Sequence, residues 1–466
     1  MSTSRVVLAV SALALSALTA CNGCQKGEPS PVTSSSGQGP LSSASAPAAM
    51  PSVVAEALPR CRVDGVRLAI PGDDVVAGDG VMAADAVFVG VIRRDGGRRL
   101  ASVVRASLDL ASMKAIDVGV SLGEDPPPSP RAHGGSVFVA SYARSKPGAD
   151  RGADAGPSAG AMTRLLEVAR IDGASLVREG TIVQQADESL AFDVEWPSGG
   201  TTGAAAAPLV AWDEDAPLGA GQLLADRGVV KVQVLGGPKA RVASPDTTDA
   251  EAPRLLAKRG GYWLAWLARR PETTEDAGVA AEGPGEQRSY RWVELVSLDA
   301  KGEPTSPVRR VTPEKGRVAS FDLVHAAPDA GSAEPRLVLL VQDEAAHAEG
   351  AGERIVRYVL DGPRDRVESG DLLDGGVGHA LVDLLTTPDE ARVPRWLAFS
   401  DLQEHTHVVP LGPALVLGAA PTAEPSLDGA RVVASGAAAE VLYAVGGAGG
   451  ADSGGGRLEL RRLVCR

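Results

Sequence analysis

Val293-Glu294-Leu295-Val296-Ser297-Leu298-Asp299 is a short run of mixed apolar and polar residues that ends in Leu-Asp and is followed by the turn residues Ala300-Lys301-Gly302. Such a run reads as a strand with one face more exposed than the other. The pattern recurs along the chain. Upstream copies are Val103–Asp109, Leu166–Asp172 and Val230–Gly236; downstream copies are Ile355–Asp361, the weaker His407–Gly412 and Leu458–Val464. The terminal positions of successive copies are separated by 63, 64, 63, 62, 51 and 52 residues. A fixed period of this kind takes precedence over any local reading of the elements.

A more apolar run precedes each copy. The seven lie at 87–91, 137–141, 209–212, 262–266, 337–341, 396–399 and 441–445. Near-continuous apolar runs suit strands covered on both faces. No long amphipathic helical pattern interrupts the series from Val53 onward, so the class is all-β. Each repeat therefore pairs a buried strand with a more exposed one, and further short runs such as Val318–Val324 flank them. Four strands in about 58 residues, repeated seven times, resemble a β-propeller. The expectation is seven four-stranded blades. Arg466 follows the last exposed strand with no outer strand after it, and Cys61–Leu68 precedes the first complete blade. The N-terminal segment is therefore expected to supply the outer strand of the last blade, closing the ring through the two ends of the chain.

Four cysteines are present: Cys21, Cys24, Cys61 and Cys465. Ring closure would set Cys61 and Cys465 on neighbouring strands, and a disulfide between them is expected in an oxidising compartment. The alternative pairs Cys24 with Cys61 and leaves Cys465 free.

The compartment is read from the start of the chain. Arg5, an apolar run of about 13 residues from Val6 to Leu18, and Leu18-Thr19-Ala20-Cys21 have the form of a secretory signal, too short for a spanning helix. The small residues before Cys21 make it similar to a bacterial lipoprotein signal. That resemblance implies cleavage before Cys21, acylation of its thiol and attachment to a lipid bilayer. Asn22 in place of Asp implies the outer membrane. Residues 25–52 are almost all Ser, Pro, Ala, Gly and Thr, a composition that cannot offset its ordering entropy. The expected organisation is a signal at 1–20, a lipidated tether at 21–52 with a span of roughly 30 Å, and a propeller at 53–466.

A net charge of −13 argues against nucleic acid as a partner. Matches to catalytic patterns are discounted on context. Gly156-Pro157-Ser158-Ala159-Gly160 lies in a Gly/Ala/Asp-rich insertion and not between a strand and a helix. Asp452-Ser453-Gly454-Gly455 lies in a glycine-rich loop. His405-Thr406-His407 sets two rings on one strand face and is read as a solvated face. No set of carboxylates and arginines converging on the disc centre is discerned. No catalytic, cofactor-binding or metal-binding residues are expected. The one distributed feature is an acidic docking rim for a cation or basic partner: Asp213, Glu214, Asp215, Glu275, Asp276, Asp343 and Glu344, placed in loops after the buried strands. The plainer reading is that these charges solvate insertions.

The function expected is that of a monomeric, membrane-anchored extracytoplasmic lipoprotein whose propeller binds or scaffolds an envelope protein. In anchor and architecture alone it resembles the propeller lipoproteins that assist outer-membrane assembly, without that family's tryptophan docking signatures. The alternative is a propeller-fold hydrolase or dehydrogenase with a central-channel site.

Overall fold

The computed structural model describes residues 61–83, 85–121, 125–144, 164–184, 191–198, 207–216, 227–270, 290–314, 316–327, 335–344, 354–360, 367–373, 383–386, 394–400, 406–412, 415, 430–435, 441–447 and 457–465. By internal contacts the chain divides into Met1–Glu56 and Ala57–Arg466, and all described residues belong to the second unit. Cys21, the tether, Gly156–Gly160, Asp452–Gly455 and the acidic residues Glu275 and Asp276 lie outside the described residues. So does His405.

Twenty-seven strands are described, in seven antiparallel sheets. β1 (Cys61–Ala69) comes first in the chain. The first complete sheet follows as β2 (Asp73–Ala83), β3 (Ala86–Asp95), β4 (Arg98–Ser107) and β5 (Met113–Val120). The second is β6 (Ser129–His133), β7 (Ser136–Arg144), β8 (Arg164–Asp172) and β9 (Ser175–Gln184). The third is β10 (Phe192–Glu195), β11 (Leu209–Asp215), β12 (Gly228–Val234) and β13 (Arg241–Val242). The fourth is β14 (Asp249–Lys258), β15 (Gly261–Arg269), β16 (Trp292–Asp299) and β17 (Arg309–Arg310). The fifth is β18 (Val318–Ala326), β19 (Arg336–Asp343), β20 (Arg354–Leu360) and β21 (Val367–Leu373). The sixth is β22 (Asp383–Thr386), β23 (Pro394–Ser400) and β24 (Thr406–Pro410). The last joins both ends of the chain, in the order β1, β27 (Leu458–Cys465), β26 (Val441–Gly447), β25 (Arg431–Ser435).

The fold is an all-β propeller. The expected seven four-stranded blades are corrected to six, because the sheet of β22–β24 has three strands among the described residues. The first-named strand of each complete sheet, and β25 of the last, is innermost. β2 touches β6 and β25, and β14 touches β10 and β18.

The apolar runs explain why sheets pack in this way. In β19, Leu337, Leu339 and Val341 enter the core shared with the fourth sheet, while Val338 and Leu340 enter the core shared with the sixth. Alternate side chains of one strand thus fill two different interfaces, so the run has no polar side to show. The last and first sheets share a core through Val433, Tyr443, Val87 and Val89, which closes the ring. Close approach is absolute at Gly90, where a Cβ would lie 1.6 Å from the carbonyl oxygen of Pro128, the residue before β6 of the next sheet.

Cys61 and Cys465 stand opposite each other in the β1–β27 ladder and form a disulfide. Both half-cystines are buried.

Candidate functional site

Each described innermost strand of a complete sheet carries a charge within an apolar or small-residue frame. They are Asp79 on β2, Arg131 on β6, Asp193 on β10, Arg254 on β14, Asp322 on β18 and, from the last sheet, Arg431 on β25. β22 begins with Asp383, whose side chain lies outside the described residues. Acid and base alternate from Asp79 to Asp322, and the ring closes on Arg431 beside Asp79.

Four of these residues form one continuous network. Arg431 Nη2 lies 3.1 Å from Asp79 Oδ1, and Arg131 Nη1 lies 3.3 Å from Asp79 Oδ2. Ser129 Oγ donates to the same Oδ2 at 3.0 Å. Arg131 then reaches forward with Nη2 to Asp193 Oδ1 at 3.2 Å. Asp193 Oδ2 accepts from the backbone N–H of Leu255 at 2.8 Å, which carries the network into the fourth sheet. Asp79 reaches this position because β2 bulges between Ala77 and Gly80. Gly80 there lies so close to the last sheet that a Cβ would meet the Val433 carbonyl oxygen at 2.9 Å.

The electrostatics follow from convergence on the axis. Burial alone would raise the Asp79 pKa, but Arg131, Arg431 and Arg254, with the Ser129 hydrogen bond, hold it well below the usual carboxylate range. Burial likewise disfavours the Arg131 charge, and Asp193 and Asp79 more than offset it. Asp322 goes the other way. Burial lifts it to about 6, aided by Asp193 and opposed by Arg254 and Arg131. Arg254 acts on Asp79, and Asp193 and Arg131 act on Asp322, from sheets that are not neighbours, so the side chains share one central space.

Arg254 is placed by a second bulge, in β14 between Glu251 and Arg254. Ala252 within it has φ 52°, a left-handed conformation that an L-residue adopts at a cost of about 1–2 kcal/mol. Asp213 holds this bulge: its Oδ2 accepts from Ala252 N–H at 2.8 Å, and its Oδ1 from Ala191 N–H at 3.2 Å.

Asp213, one of the expected rim residues, is therefore a buried bridge between sheets and lies within β11, not in a loop after it. Glu214 is also buried in β11, where its Oε2 accepts from Trp212 Nε1 at 2.9 Å and pairs with Lys231 at 2.9 Å. Asp343 closes β19 and pairs with Arg354 at 3.1 Å, with 9% of its side chain exposed. Asp215 is exposed and Glu344 half-buried. Thus the structure places three of the five described residues inside the ring's framework. The fourth sheet repeats the Trp–Glu theme: Trp266 Nε1 donates to Glu294 Oε2 and Trp292 Nε1 to Glu294 Oε1, both at 3.0 Å.

His407 corrects another expectation. It is buried and stacks on Phe399 with ring centroids 4.8 Å apart, so this face of β24 is core and not solvated. Among the described residues, no group of three or more His, Cys, Asp or Glu side chains is arranged to hold a metal ion.

The axial ring overturns the expectation that carboxylates and arginines do not converge at the disc centre. Its sequence signal is one charge between two apolar or small residues, as in Phe192-Asp193-Val194, Pro253-Arg254-Leu255 and Phe321-Asp322-Leu323. These triplets recur with the blades.

No family model matches the chain, and no curated protein matches it. Among solved structures it is similar to the β-propeller domain of the Trilobed protease from Pyrococcus furiosus, with 9% identity, TM-score 0.42, and coverage of 84% of this chain and 94% of that one. It is also similar to the polysaccharide lyase Uly1, with 9% identity, TM-score 0.44, and coverage of 84% and 89%. A third is an α-L-arabinanase of Penicillium chrysogenum, with 8% identity, TM-score 0.41, and coverage of 87% and 99%. Likeness at this level is one of fold and carries no argument about activity.

Proposed function

We propose that the chain is a lipid-anchored, extracytoplasmic binding propeller. In this reading residues 1–20 are removed, Cys21 is acylated and held in the outer membrane, and residues 21–52 tether the propeller of 53–466 to an envelope protein partner. The observation that carries it is the Cys61–Cys465 disulfide. Such a bond persists in oxidising compartments, which agrees with the lipoprotein-like signal at Leu18–Cys21. Two or more acyl chains would anchor it stably.

The test is labelling of cells with radioactive palmitate, comparing the native chain with Cys21→Ser. Label on the native chain and none on the variant is the expected result. Equal labelling of both removes the anchor from the reading. Crosslinking in intact cells followed by mass spectrometry addresses the partner, and recovery of no envelope protein counts against scaffolding.

The competing reading is a propeller-fold hydrolase or dehydrogenase acting in the central channel. Asp79, Asp193 and Asp322 among three arginines are the observation in its favour.

A further inference from the structure

The six described axial charges are not equally engaged. Arg431, Asp79, Arg131 and Asp193 are locked into the network described above. Arg254 and Asp322, on the adjacent inner strands β14 and β18, stand outside it. Arg254 Nη1 donates to the carbonyl of its own neighbour Pro253 at 3.0 Å. Asp322 Oδ1 accepts from the N–H of its own neighbour Leu323 at 2.8 Å. Among the described residues neither forms an ion pair, although each lies within the field of the other. Among the described residues, Arg254 thus keeps most of a planar fork of five donors without a protein acceptor. Both residues are half-buried and not fully exposed, so water replaces such partners imperfectly.

We propose that Arg254 and Asp322 are the two poles of a binding site on the propeller axis for a small zwitterion of amino-acid type. The ligand's carboxylate would lie on the Arg254 guanidinium and its ammonium on the Asp322 carboxylate. The proposal rests on the binding reading of the propeller but not on the lipid anchor.

Charge balance selects this class. The two poles left outside the network carry one charge of each sign, so a ligand that also carries one of each matches both. A phosphate dianion would suit Arg254 but would face Asp79, Asp193 and Asp322 at once. A simple cation would suit Asp322 but would face three guanidiniums. A guanidinium fork matches a carboxylate in two parallel hydrogen bonds. The Asp213 and Asp193 carboxylates, bonded to β14 on either side of Arg254, hold that pole in place before any ligand arrives.

A pH dependence follows. Burial and Asp193 raise Asp322 to about 6, against Arg254 and Arg131. The carboxylate that meets the ammonium is therefore present at pH 7.5 and largely lost at pH 5.

The test is calorimetric titration of the full mature chain, purified in detergent, with glycine, β-alanine and γ-aminobutyrate, which grade the charge separation. Acetate and methylammonium are the single-charge controls. The expected result is binding of at least one zwitterion, at least about tenfold tighter than either control. Arg254→Gln and Asp322→Asn should each weaken it by about tenfold or more, the scale of a lost charge-assisted hydrogen bond. Weaker binding at pH 5 than at pH 7.5 is expected of the native chain, and this readout needs no variant to fold. Arg254→Lys and Asp322→Glu, which keep the charge but move it, provide a milder pair. No binding by any of the three zwitterions overturns the proposal, as does binding that ignores both poles or equal binding of acetate. Palmitate labelling is unaffected by either result, so failure here and failure of the anchor reading are separable.

Discussion

Cys61 and Cys465 are register partners on β1 and β27, joined by a disulfide that spans 404 residues of sequence. The bond lies at the seam where the two ends of the chain complete one sheet. It ties together the one sheet whose strands are not contiguous in sequence.

Cys465→Ser should release that seam. Closing so long a loop removes denatured-state entropy worth at most about 5 kcal/mol, and often less. The variant is expected to melt at a lower temperature and to migrate more slowly than the native chain on a non-reducing denaturing gel. Equal mobility of the two without reductant would show that the bond does not form in the protein as made.

Asp213 separates a rim from a framework. If its carboxylate holds the β14 bulge through Ala252 N–H and also caps Ala191 N–H, Asp213→Ala leaves two backbone donors without a partner. A loss of about 2–4 kcal/mol is expected, read as a lower urea midpoint. A residue serving only as a solvated docking charge would change stability by less than about 0.5 kcal/mol.

Glu294 accepts from two indoles, Trp266 and Trp292, both almost wholly buried. Glu294→Ala would leave both N–H groups unsatisfied, a penalty of about 2–4 kcal/mol or more. Glu294→Gln keeps one acceptor oxygen and should lose less. Denaturant titration followed by tryptophan emission measures the order native, Gln, Ala; an Ala variant as stable as Gln would break it.

The axial carboxylates should give two opposite pH effects. Asp79 has a lowered pKa in the fold. Its stabilisation is therefore present above the unfolded value near 3.8 and is lost as pH falls towards the folded value. Asp322 is raised from 3.8 to about 6, so the fold holds its proton more tightly than the unfolded chain does. Its contribution is greatest below about pH 4 and is lost as pH rises from there to about 6. Asp322→Asn, which cannot ionise, should gain stability over the native chain between pH 4 and pH 7, by at most about 3 kcal/mol. A melting-temperature difference that stays constant across this range would refute the assignment.

Much of the scaffold was legible. The run at 337–341 reads as a strand buried on both faces, and its residues do fill two interfaces. The period of the strands ending in Leu-Asp or its equivalent located every sheet, although the copy at Val293–Asp299 is buried on both faces and not half-exposed as expected; the position of Cys61 ahead of the first sheet located its partner. The count of four-stranded sheets was less legible. The pattern at His407–Gly412 is the weakest copy, and the sheet to which it belongs has three described strands. The site was hardly legible. Asp213 and Glu214 looked like loop charges because acidic residues are seldom buried. Their burial depends on an N–H of β14 and an indole beside them, and neither is implied by local composition.

The amino-acid sequence by itself determined the all-β class and the repeat, because each rests on strand periodicity, and it narrowed the cysteine pairing to two alternatives. Only the tertiary structure decided that Asp79, Arg131, Asp193, Arg254, Asp322 and Arg431 share one axis. The physical reason is that a charge on an inner strand acquires its meaning from charges one or more sheets away. Ring closure brings those sheets together across the axis, whereas along the chain each charge has only apolar or small neighbours.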